Sequence, residues 1–163
     1  MVWCPSSNLF TLGRTLDPAA IPAGVRVALG TDSPLTAQGD LLDELRLVRR
    51  VSGLSKAVLY GMVLQEPARI LRLGSRRDLV AFRDRGQSPA AALFGPPPQM
   101  VIVGGKIKLV SRPLAKQVRR RLFPLALEGR EEVLVDADVP QLYRQAARVL
   151  GPEIRLGGRR VLA

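Results

Sequence analysis

The sequence predicts an α/β protein, parallel in style over its first half and antiparallel over its second. Apolar runs ending at Cys4 and Leu29 each lead into polar residues and then a helix signal, the strand, helix, strand, helix order of a parallel sheet. Beyond Gly74, short strand-like runs come in pairs around Gly104-Gly105 and Gly157-Gly158, which suits two-residue hairpins. No apolar run reaches the ~18 residues that a membrane span needs.

The elements follow in order. Val2-Trp3-Cys4 is a short strand stopped by Pro5, so Ser6, Ser7 and Asn8 are expected in the loop at its carboxyl end. Asp17-Pro18 offers a cap followed by proline at the first helical position, and Gly24 a stop, predicting a short helix over 18–23. A β-branched strand over 25–29 ends at Gly30. Asp40 then caps a helix with Leu41, Leu42, Leu45 and Val48 on its apolar face, Asp43 and Glu44 in its first turn and arginines near its end. Ser55 caps a second helix over 55–64, and a break before Pro67 leaves a third over 67–73.

Strands are expected over 78–82, 100–103 and 106–110, with a short helix at 89–94 and a turn at Gly95-Pro96-Pro97-Pro98 among them. The last fifty residues suggest a basic helix over about 113–122, a strand over 132–135, a helix opened by the Asp138-x-x-Gln141 capping pattern, and a final hairpin of 154–156 with 160–162.

A net charge of +11 is unevenly spread. Residues 1–74 hold eight Lys/Arg against six Asp/Glu, and residues 75–163 hold seventeen against eight. Such a surface attracts nucleic acid or acidic partners. Aromatic residues for base stacking are scarce there, and the only dense run is Arg119-Arg120-Arg121, so an ordinary arginine-rich surface is the simpler reading. The chain has one cysteine and no histidine, which excludes an internal disulfide and a Cys/His metal cluster. The amino terminus lacks the layout of a signal peptide, which gives a cytoplasmic expectation with no membrane partner.

Asp32 is the sharpest candidate for chemistry. It follows a strand and Gly30-Thr31 and opens a loop before a helix, where a carboxylate can ligate a divalent cation or take a proton from water. The competing reading is a plain Asp32-Ser33-Pro34 turn. Ser6, Ser7 and Asn8 either hydrogen-bond a substrate or a metal's ligands, or merely end a strand; without a base the serines have no nucleophilic role. Cys4, beside Trp3, reads as a packed thiol rather than a reactive one. Gly104-Gly105 precedes a strand, so it is no phosphate loop.

Taken in order, Cys4-Pro5-Ser6-Ser7-Asn8, Gly30-Thr31-Asp32-Ser33, Leu41-Leu42-Asp43-Glu44-Leu45-Arg46, Pro67-Ala68-Arg69-Ile70-Leu71-Arg72-Leu73-Gly74, Asp78-Leu79-Val80-Ala81-Phe82 and Val101-Ile102-Val103-Gly104-Gly105-Lys106 resemble the carboxyl-terminal part of the metal-dependent amidohydrolase superfamily. Within it the likeness is to cytosine and guanine deaminases and the related chlorohydrolases. The resemblance implies the last strands and helices of a (β/α)₈ TIM-type barrel over 1–74, with residues 2–5 as strand seven and 25–30 as strand eight. It also implies a small antiparallel β-sandwich portion over 75–112, and an α+β extension over 113–163 is left without a counterpart.

On this mapping Asp32 matches the aspartate that binds the catalytic metal and shuttles a proton from the attacking water. Ser6, Ser7 and Asn8 match a pocket segment, and Ser33, next to the metal aspartate, is expected to line the same substrate pocket. The family's histidine ligands have no counterpart here, and the glycine-rich turn before Asp78 is shortened to Gly74-Ser75-Arg76-Arg77. One aspartate cannot hold a metal that needs three or more protein ligands.

Hydrolysis of an amide, amidine or amino-heterocycle C–N bond is therefore expected only with an amino-terminal part or second chain that supplies the histidines. Zinc or iron, and a small-molecule substrate, would join only that complete barrel. Two further readings are a non-catalytic basic module for nucleic acid or a protein partner, and a subunit that oligomerises through exposed strand edges.

Overall fold

The structure, a computed structural model, describes residues 1–37, 39–72 and 78–162. Among the described residues it is a mixed α/β protein with six α-helices, a two-stranded parallel sheet and a seven-stranded antiparallel sheet. The chain divides into two compact units, Met1–Ser75 with Asp84–Gly95, and Arg76–Arg83 with Pro96–Ala163.

The first unit is built on β1 (Val2–Trp3) and β2 (Ala28–Leu29), parallel neighbours with Val2 opposite Ala28 and Trp3 opposite Leu29. Ala28 N donates to the Met1 carbonyl and Gly30 N to the Trp3 carbonyl, at 2.9 Å each. Gly30 permits that approach: a Cβ there would stand 2.8 Å from Val2 Cγ1 and 3.2 Å from Cys4 Sγ. These two strands do not close a barrel.

The loop expected after β1 is instead helix α1 (Pro5–Leu12), so Ser6, Ser7 and Asn8 lie in its first turns. Pro5 presets the first helical φ, and Gly13, at φ 67, ends the helix by donating to the Leu9 carbonyl. The helix expected over 18–23 shrinks to one 3₁₀ turn, Pro18–Ala20, with Asp17 accepting from Ala19 N. Pro22 explains the shortening, because it pushes Ile21 into extended backbone at ψ 123.

Helix α2 (Leu41–Ser52) begins as expected at Asp40, whose side chain accepts from the backbone of Leu42 and Asp43 while the Asp43 carboxylate accepts from Asp40 N. Helix α3 (Lys56–Ile70), capped by Ser55, runs straight through Pro67, where a break was expected. The proline removes one N–H, but its own carbonyl still accepts from Leu71 N, and α3 packs along β2. The Leu73 end of the expected third helix, and the shortened turn at Gly74-Ser75-Arg76-Arg77, lie outside the described residues. The core of this unit joins Trp3, Ala28 and Leu29 to Leu45, Val48, Leu59 and Met62, with short helix α4 (Pro89–Ala92) against α3.

In the second unit the strands are β3 (Leu79–Ala81), β4 (Met100–Val103), β5 (Lys106–Ser111), β6 (Phe123–Leu127), β7 (Val133–Val135), β8 (Arg155–Leu156) and β9 (Arg159–Leu162). They form one antiparallel sheet in the order β3-β4-β5-β7-β6-β9-β8, to which both 75–112 and 113–163 contribute. The basic helix expected over 113–122 is only α5 (Arg112–Ala115), and β6 follows where no strand was expected. Phe123 pairs with Val135 and Leu125 with Val133, so β6 is selected by β7, a neighbour that local spacing does not reveal. Helix α6 (Val139–Leu150) starts at Asp138, which accepts from Gln141 N, and packs on β6. Only Val110 and Val161 are buried apolar residues among those described in this unit.

Candidate functional site

The carboxyl ends of β1 and β2 bring together the amino-terminal turn of α1 and the loop that carries Asp32. In parallel α/β sheets that end is where reacting groups gather. Asp32 has φ 58, a left-handed backbone that few residues other than glycine adopt. The conformation swings its carboxylate toward α1. Ser7, only 5% exposed, donates from Oγ to Asp32 Oδ2 at 2.5 Å, and lies 2.8 Å from Thr36 Oγ1. Asp32 itself is exposed, and its Oδ1 takes no hydrogen bond among the described residues.

Beneath this pair lies a second carboxylate. Glu44, in the first turn of α2, is 1% exposed. It accepts from Ser6 N through Oε2 at 3.2 Å and from the Ser6 hydroxyl through Oε1. A buried charge needs hydrogen bonds, and here the donors come from the first turn of α1, where backbone N–H groups point outward. The arrangement ties α2 to α1 and fixes the segment that presents Ser7.

Cys4 stands between these groups. Burial pushes its thiol pKa up, the nearby Asp32 and Glu44 charges push it further, and the Asp32 backbone N–H works weakly against them. The thiol is protonated at neutral pH, which suits packing and not nucleophilic attack.

Of the sequence-expected site residues, the structure joins Ser7 to Asp32 and Ser6 to Glu44. Ser33 turns inward on its own loop: its Oγ accepts from Leu35 N and its carbonyl from Thr36 N and Ala37 N. Asn8 sits one position further along α1 with no side-chain hydrogen bond among the described residues. Asp32 thus combines the two alternatives, a turn residue by backbone and a hydrogen-bonded carboxylate by side chain. Thr36 and Glu44 were not among the expected site residues. The signal for Glu44 was its spacing, since it shares the face of Leu41, Leu45 and Val48 at the i, i+3, i+4, i+7 positions.

Among the described residues no group of three or more Cys, Asp or Glu side chains is placed to hold a metal ion. The residues present therefore do not form a complete metal site. What they offer is one carboxylate with a free oxygen, oriented by a buried serine. No helix among the described residues is long and apolar enough to cross a membrane.

No protein family, curated protein or solved structure matches this chain.

Proposed function

We propose that the chain is the carboxyl-terminal portion of an amidohydrolase-like metal-dependent hydrolase that acts on C–N bonds other than peptide bonds, in an amide, amidine or amino-heterocycle. The observation that carries this reading is the Ser7–Asp32 hydrogen bond, which links side chains from the carboxyl ends of two adjacent parallel strands. In this reading the two strands are the last of a (β/α)₈ barrel. Both outer edges of the pair are free for further strands among the described residues.

This chain's own residues have limited work to do. Ser7 holds Asp32 Oδ2, which leaves Oδ1 to accept a proton. Glu44, through Ser6, fixes the turn of α1 that carries Ser7. Ser6, Ser7, Asn8 and Ser33 border the proposed substrate pocket. A divalent metal, zinc or iron, would supply Lewis-acid activation of water when bound. Its other ligands would be histidines from an amino-terminal part or second chain, and without them this chain is not catalytic.

The alternative of a basic nucleic-acid module has less support. Arg120 pairs with Asp136 at 2.8 Å and Arg121 lies 5.0 Å from the ring centre of Phe123, so the dense arginine run is largely engaged within the protein.

Co-expression with the polypeptide encoded in frame immediately upstream of Met1 tests the proposal. A complex that contains zinc or iron and releases ammonia from amino-heterocycles, beside a metal-free single chain, is expected. A complex without bound metal, or no complex, overturns it.

A further inference from the structure

Helix α6 carries more apolar surface than the sheet covers. None of its residues is fully buried, and Leu142 and Val149 are 54% and 83% exposed. The half-buried residues, Val139, Tyr143, Ala146 and Ala147, mark the side that rests on β6. At about 100° per residue, Leu142 and Val149 fall on one line along the helix, exposed Gln141 and Gln145 lie about 80° round from it, and exposed Arg144 and Arg148 about 140° round. The solvent face is therefore three parallel rows, apolar, amide and cationic. Neither arginine has an ion-pair partner among the described residues.

The order of the rows selects the occupant. A lipid surface centred on this face would press the Gln141 and Gln145 amides deepest into hydrocarbon, where they lack partners. A second copy docking in antiparallel fashion would set arginine row on arginine row, and in parallel fashion arginine on leucine, within a chain already at +11. A helix with an apolar row on one side and an aspartate or glutamate row on the other meets all three rows at once.

We propose that the solvent face of α6 is a docking site for an acidic amphipathic helix of a partner protein. The surface lies outside the hydrolase residues, so it stands or falls independently of them.

The test uses the full chain and a synthetic helical peptide with a leucine row and a parallel glutamate row, read by fluorescence anisotropy. Salt-sensitive binding is expected, weakened at least about tenfold by Leu142→Ser with Val149→Ser and by Arg144→Glu with Arg148→Glu. The charge-reversed chain should regain binding to a peptide whose glutamates are lysines. No peptide binding, or binding that the Leu142/Val149 variant leaves unchanged, overturns the proposal. So does dimerisation, or sedimentation with phosphatidylserine vesicles, that the same variants abolish in the absence of peptide binding.

Discussion

Asp32 occupies a backbone region that costs an ordinary residue about 1–2 kcal/mol, and what it gains there is a hydrogen bond to a buried serine. The Cys4 thiol reports on this geometry in the chain alone. Its raised pKa predicts slow alkylation by iodoacetamide at neutral pH, with the rate climbing only as the pH passes the ordinary thiol value of 9.0. Removing a neighbouring negative charge makes the thiolate easier to form. Asp32→Asn should therefore shift the rate profile to lower pH, and Glu44→Gln should do so by less. An unchanged profile in Asp32→Asn would mean that the carboxylate is not beside Cys4. Asp32 was legible as a candidate because Gly30-Thr31-Asp32 follows a recognisable strand. Its partner Ser7 was legible as a residue but not as a helical one. The carboxylate of Glu44 does not stand out in the sequence, because an acidic residue in a first turn already suits the helix dipole.

At the scale of elements, signals confined to a few neighbouring residues were the readable ones. The Asp40 cap is local chemistry, and Gly39 supports it at φ 92, where an added Cβ would stand 2.8 Å from Asp43 Cβ. Gly39→Ala should break the reciprocal cap and cost about 1–2 kcal/mol in urea unfolding, as losing a helix cap does. Strand β6 was not readable, because its pairing with β7 depends on residues eight to twelve positions apart meeting across the sheet. Helix α3 continues past Pro67, against the local signal, because packing along β2 outweighs one lost hydrogen bond. Across the sheet, Asp136 joins β5 to the segment before β6. Its carboxyl is held below the usual value, first by the hydrogen bond from Lys108 and then by the Arg120 charge. A depressed pKa contributes stability that is present above pH 3.8 and is lost as the pH falls through the folded value. Asp136→Asn should flatten the acid limb of a stability-versus-pH curve and leave the limb near neutrality unchanged in slope.

At the scale of the molecule, alternation of strand and helix signals was enough to predict mixed α/β architecture, while the number of strands per sheet was not. The antiparallel strands expected as two separate regions form one sheet, because sheet membership is decided by long-range pairing. The parallel pair is different: two strands of two residues each carry Asp32 and Ser7 at their carboxyl ends, and in the proposed reading they make a site only in company. That is the central claim, and metal content and ammonia release by the complex with the upstream polypeptide measure it most directly. The Asp32→Ala complex should assemble and lose turnover by about 10²–10⁴-fold. Full activity of that complex would contradict the role assigned to Asp32.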